Sequence, residues 1–275
     1  MTSVPDTGSR IKAHRSLIAE LRRRNPVLFW LAAFHLLLLV GMLAFTAVDH
    51  RIVAGANLWF KPIKFALSFA VYAATVDWLM KSMPATPQLK RRFTWIVAIS
   101  VLIEMIAIGG QAARGVKSHF NLSSPGNAAI FGLMGVAIVV NTIAVAIMTW
   151  RFWRTEANLP RPYLWGIRLG LLIFLLSSSE GFVMAGRLAH SVGVADGGAG
   201  LPFLNWSRNG GDLRASHFLG MHALQILPLC GYAMSRSSRR PQPQPAAASI
   251  VGLGLAYAIV VGLLFLQALM GRPLL

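Results

Sequence analysis

Apolar runs of about 18 residues or more recur along the chain, separated by short polar or basic segments. That period predicts membrane-spanning helices. Seven runs fall near residues 27–48, 58–80, 93–113, 127–152, 164–187, 214–235 and 248–270. Polar residues inside six of them repeat every three, four or seven positions, so each set lines one helix face. The sets are His35, Met42, Thr46 and Asp49; Lys61, Lys64, Ser68 and Thr75; Ser100, Glu104 and Gln111 with Arg114; Asn127, Met134 and Asn141; Ser177, Glu180, Met184 and Arg187; and Arg214, His217, Met221 and Gln225, with His222 at the edge. A polar group facing lipid costs several kcal/mol, so these faces are expected to meet in a protein interior. The last run has Gln267 as its only strongly polar side chain and is expected at the periphery. The predicted architecture is all-α and polytopic: seven transmembrane helices, a polar interior formed by the first six, and a peripheral seventh.

Composition agrees. The chain is 55% hydrophobic and 13% charged, against about 25% charged in a soluble domain. The net charge of +17 has a topological reading. The N-terminal segment and residues 81–92, 151–168 and 236–240 hold 17 of the 26 Lys and Arg. The positive-inside rule then places the N-terminus in the cytoplasm and the C-terminus outside, and it accounts for the basicity without nucleic acid. Trp30, Trp78, Trp95, Trp150, Trp153 and Trp165 mark the basic ends of the runs, and Trp59 and Trp206 the opposite ends. Residues 1–25 read as a basic cytoplasmic segment, with Ile11, Leu17, Ile18 and Leu21 set among arginines and lysines as in a short surface helix. The length of the first apolar run argues against a cleavable leader. Residues 26–275 form the membrane domain. Pro241-Gln242-Pro243-Gln244-Pro245 reads as an extended linker. The Gly-rich loop at 188–213 reads as a lid or a plain connection. The single cysteine, Cys230, excludes an intrachain disulfide and a cysteine-based metal cluster.

Helix depth places Lys61, Lys64, Gln111, Glu180, Arg187, His217 and His222 in the outer half, Glu104 near the middle, and His35 and Asn141 deeper. The expected object is an outward-facing polar cavity. Four chemistries fit its residue types. His119, His217 and His222, with Glu180 or Glu104, supply ligands suited to Zn²⁺ or another divalent ion. The five-residue spacing of His217 and His222 differs from the four of HExxH sites. Seven-span membrane hydrolases with a three-histidine zinc site, the ceramidase and adiponectin-receptor families, are similar in layout, although their HxxxH helix motif is not matched here. Alternatively, Lys61, Lys64, Gln111, Arg114, Arg187, Arg214 and Gln225 would bind an anion, with Glu180, Glu104 and His222 as acid–base groups. A proton-coupled transporter would use the same groups, with Glu104 and His35 as a relay. Haem or copper chemistry would draw on His35, His222 and the interior methionines. An accessory subunit would use the polar groups only to specify packing. The leading expectation is a membrane protein that binds, and processes, a small anionic or amphiphilic ligand.

Overall fold

The computed structural model describes residues 17–237 and 243–275. In chain order the elements are α1 (Leu17–Arg24), α2 (Pro26–Phe45), β1 (Ile52–Val53), β2 (Ala56–Asn57), α3 (Phe60–Ser82), α4 (Pro87–Ala113), α5 (Pro125–Arg154), α6 (Arg161–Arg187), β3 (Ser191–Val192), β4 (Gly211–Asp212), α7 (Leu213–Ser237) and α8 (Pro243–Leu269). The strands form two antiparallel pairs, β1 with β2 and β3 with β4. Each apolar run becomes a helix. Among the described residues six helices, α2 to α6 and the Ala246–Leu269 part of α8, are long and apolar enough to cross a membrane. The remaining run, the sixth in chain order, is a helix of 25 residues, α7, whose polar residues keep it below that apolarity.

Local chemistry sets the helix starts. Asn25, Thr86 and Ser124 each accept a hydrogen bond from the backbone N–H three residues on, and a proline follows each of them. The side chain satisfies a first-turn donor, and the proline removes one that would have no acceptor. α4 therefore begins at Pro87, six residues before the apolar run, and carries Lys90, Arg91 and Arg92 on helix rather than in a loop. α8 begins at Pro243. Pro243-Gln244-Pro245 is thus a helical first turn and not an extended linker, because first-turn N–H groups need no helical partner. Residues 238–242 of the expected linker, and residues 1–16 of the basic segment, lie outside the described residues.

The bundle alternates direction. Asn25, at the start of α2, bonds Thr94 near the start of α4, while Arg51 beyond the end of α2 bonds the carbonyl of Ala113 at the end of α4. One end is basic; the other is capped by loops. α6 and α7 pack most closely, through glycine. A Cβ on Gly166 would strike the carbonyl of Leu227, one on Gly170 would lie 2.7 Å from the carbonyl of Ala223, and one on Gly220 would strike Ser177. Small residues let helix backbones approach in this way. Outward faces are apolar, as at Leu37, Val40, Val136, Leu255 and Ile259. α8 has the smallest buried share of the six apolar helices, 17% of its most apolar window.

The polar stripes are inward on α4, α5 and α6, where Ser100, Glu104, Gln111, Asn127, Asn141, Ser177 and Glu180 are buried. Two stripes are displaced. On α3, Ser68 is exposed, and the buried face runs through Ile63, Ala66, Ala70, Ala73 and Asp77. On α7, Ser216, Gly220, Ala223, Leu224 and Leu227 are buried, while Arg214, His217, Met221 and Gln225 are half-buried beside them. In both, close packing of small and apolar residues claims the inner face and leaves polar residues at its border.

A cationic cluster beneath a hydrogen-bonded lid

The loop between α6 and α7 is an ordered cap. β3 and β4 pair its two ends, Ser191 opposite Asp212. Asp196 binds one end: its carboxylate accepts from the backbone N–H of His190 at 3.0 Å, from that of Ser191 at 2.8 Å and from His190 Nδ1 at 2.9 Å. Burial pushes the His190 imidazole down to about 4, against the pull of Asp196. Burial raises the Asp196 carboxyl, but its bonds from His190 and Ser191 outweigh that and hold it below the ordinary carboxylate range. The pair is therefore a neutral imidazole donating to a carboxylate. Asp212 binds the other end, accepting from Ser207 N at 2.7 Å and from Arg214 Nε at 2.8 Å. The β1–β2 hairpin clips the cap from the side. Asn205 Nδ2 donates to the carbonyl of Ala54 at 2.9 Å. Gly197, with φ +94, lies against Ala54 so closely that a Cβ on it would sit 3.2 Å from the backbone; glycine alone meets both demands.

Beneath the cap lie the cations. Lys64 Nζ donates to the carbonyls of Phe203 at 3.1 Å and Leu204 at 2.9 Å, and Arg214 Nη2 donates to that of Asn205 at 2.6 Å. Three successive carbonyls at the lid tip are thus held by two cations. The tip is strained: Phe203 and Asn205 have φ of 61° and 57°, a left-handed conformation uncommon outside glycine. Lys61 Nζ donates to His119 Nδ1 at 3.1 Å, and Ser118 Oγ lies 3.0 Å from the same nitrogen. The His119 ring is walled by Phe65, Phe120 and Phe131. Burial first, then the charge of Lys61, hold its imidazole well below the ordinary value, so it is neutral and accepts from Lys61. Arg214, Lys64, Glu104 and Asp196 all act electrostatically on Lys61. Among the described residues, neither Lys61 nor Lys64 has a carboxylate within ion-pair distance, whereas Arg51, Lys81 and Arg214 each do. Glu104 is buried and receives no hydrogen bond from a described residue.

Other predicted site residues stand elsewhere. Gln111 and Arg114 join a saturated clamp between α4 and α5. Gln111 Nε2 donates to Asn127 Oδ1 at 3.1 Å, Arg114 donates to Gln111 Oε1 at 2.6 Å and to Asn127 Oδ1 at 3.2 Å, and Asn127 donates to Ser123 Oγ at 3.0 Å. Glu180 accepts from Ser216 Oγ at 2.6 Å across the α6–α7 contact. His217 Nδ1 donates to the carbonyl of Ser177 at 2.7 Å, leaving Nε2 free to accept. Gln225 ties α7 to α3 through Thr75 at 3.2 Å. Arg187 is exposed at the end of α6. His222 turns from the cluster: its Nδ1 donates to the carbonyl of Phe218 in the preceding turn, and its ring lies 4.2 Å from the Phe218 ring, which is itself exposed.

The expected metal trio does not assemble. Among the described residues no three His, Cys, Asp or Glu side chains lie together as a metal-holding group. His119, in the loop after α4, is bound to Lys61; His217 is bound to α6, and His222, five residues on, occupies a different face of α7. Nor is the cluster an open outward cavity; the lid's own carbonyls cover it. His190 and Asp196 were not anticipated, because a Gly-rich loop carries no periodicity to place them. Asp77 was also missed, although it is the only acid in its apolar run.

No protein-family model, curated protein or solved structure matches the chain. The cluster and its lid therefore carry the functional argument.

Proposed function

We propose that this is a seven-span protein of the cytoplasmic membrane, N-terminus in and C-terminus out, that binds a small anionic or amphiphilic ligand at Lys61, Lys64 and Arg214 beneath the lid. The crowding of Lys and Arg at one end supports the orientation, and the position of α7 between α6 and α8 supports its crossing as the sixth span. One observation carries the ligand reading. Lys61 and Lys64 are in an apolar helix, have no carboxylate partner among the described residues, and use neutral carbonyl and imidazole acceptors instead. An intramembrane ammonium is expensive and is ordinarily paired. Carbonyl oxygens at 2.9–3.1 Å occupy the position that a ligand's carboxylate or phosphate oxygens would take. Binding exchanges one set for the other and frees a strained lid tip. Glu104 and Glu180 are the carboxylates for acid–base work on the ligand, with His119 and His217 as proton-transfer groups.

The test is thermal unfolding of the full-length protein in detergent, with phosphate, short carboxylates and alkyl phosphates replacing chloride at constant ionic strength. A binding anion stabilises by about 2.7 kcal/mol at a hundred times its Kd. Lys61→Gln with Lys64→Gln abolishes that gain. The reading fails if no anion stabilises the native protein, or if the double variant responds equally.

One observation favours a second reading, a proton-coupled transporter of a small anion. His35 Nε2 and both Asp77 carboxylate oxygens are buried without a hydrogen-bond partner among the described residues, and Asp77 lies about 24 Å along α3 from Lys61. Unpaired protonatable groups below a ligand site suit a relay through Glu104 and His35. Proton-coupled uptake in proteoliposomes that survives both Glu104→Gln and His35→Ala would end it.

A further inference from the structure

The basic end holds a cavity of about 450 Å³ lined by Arg24, Trp78, Lys81, Ser82, Asn158 and Tyr163. Its wall is built. Trp78 Nε1 donates to the Tyr163 hydroxyl at 2.8 Å, and the Arg24 guanidinium lies 4.1 Å over the Trp78 ring. The nearby acid is Glu20, shared by Arg24 at 2.9 Å, Arg23 at 3.1 Å and Lys81 at 3.5 Å. Three cations on one carboxylate leave positive charge at the rim. Ser82 and Asn158 add neutral hydrogen-bonding groups, and Leu159 gives the cavity an apolar side. Tryptophan and tyrosine at a helix end, beside Lys and Arg, mark the level of lipid head groups. A volume within roughly 300–1,000 Å³ suits a small ligand or head group.

We propose that this cavity binds the phosphate of an anionic phospholipid head group, with Arg24 and Lys81 on the phosphate, Ser82 and Asn158 on the polar head, and Trp78 and Tyr163 against its glyceryl end. The site stands apart from the lid cluster and does not depend on what binds there. An amphiphile fits better than free phosphate because half of the wall is aromatic or apolar.

Native mass spectrometry tests this on the full-length protein, released from micelles doped with phosphatidylglycerol or phosphatidylcholine. Retained phosphatidylglycerol is expected to exceed phosphatidylcholine by roughly tenfold. Arg24→Gln with Lys81→Gln brings the two to parity, whereas Lys81→Arg keeps the preference, as does Arg154→Gln, which removes a basic-end cation that does not line the cavity. The proposal is overturned if the double variant still prefers phosphatidylglycerol, if Arg154→Gln loses the preference equally, or if Lys81→Arg loses it, which would assign Lys81 to packing. It is also overturned if millimolar inorganic phosphate binds while neither lipid is selected.

Discussion

Two polar clusters at the capped end of this bundle meet the same difficulty, polar groups withdrawn from water, in opposite ways. In the α4–α5 clamp, all four side-chain amide atoms of Gln111 and Asn127 are used, and Arg114 closes the set. Nothing in it is held in reserve, so its role is to join two helices. In the lid cluster, Lys61 and Lys64 bind neutral acceptors that belong to a loop or to a ring, and Glu104 receives no hydrogen bond from a described residue. Those partners can be exchanged without breaking the bundle. A saturated network specifies packing, and a provisionally satisfied one is where a ligand can compete.

The comparison breaks most easily at its cations. Lys61→Gln with Lys64→Gln is expected to weaken anion binding about a hundredfold, about 2.7 kcal/mol, with the thermal midpoint unchanged or raised. A large fall in the midpoint would make the lysines structural. The reverse is expected of the clamp. Asn127→Ala leaves the buried Gln111 Nε2 without its acceptor and lowers stability by about 2 kcal/mol, read as a fall in the unfolding midpoint, while the anion response persists. Asp77 extends the contrast to the other end: the residue is 1% exposed, and neither carboxylate oxygen has a partner among the described residues. Asp77→Asn is expected to stabilise by about 1 kcal/mol; a lower midpoint would reveal a partner for the carboxylate.

The smallest effect is one of pH. In the folded chain His190 takes up its proton only near about 4, below its ordinary value of 6.5, and His119 is shifted the same way. Between those values the unfolded loop binds more protons than the folded one, so lid stability falls as pH falls from 7 towards 4. Amide exchange of residues 190–212, corrected for its intrinsic pH dependence, should rise several-fold over that range. His190→Gln should flatten the rise. A lid equally protected at both pH values would contradict the assignment of neutral histidines.

The helices were legible because hydrophobic runs of this length have few other solutions. Their starts were less so: Lys90, Arg91 and Arg92 read as loop, yet Thr86 caps a helix that continues through them. Polarity alone put residues on inner faces, and this held on α4 to α6. It failed where small residues govern contact, as at Gly220 against Ser177. The members of the cluster on helices, Lys61, Lys64, Glu104 and Arg214, were recognisable as charges within apolar runs. The lid was not, because its hydrogen bonds join His190, Asp196, Asn205 and Asp212 to partners far away in sequence or set by turns. His222 was misleading for a related reason: five residues from His217, it occupies a different face of the same helix.

The central claim is that the lysine and arginine beneath the lid hold its tip by backbone carbonyls and yield them to an anion. Thiol labelling tests it directly. With Cys230→Ser as background and Leu204→Cys as reporter, the maleimide rate is followed as phosphate replaces chloride at constant ionic strength. The account predicts a rate that climbs with phosphate in the native cluster, and a rate already high and insensitive to phosphate once Lys64→Gln is added. A rate that ignores both the anion and Lys64 would contradict it.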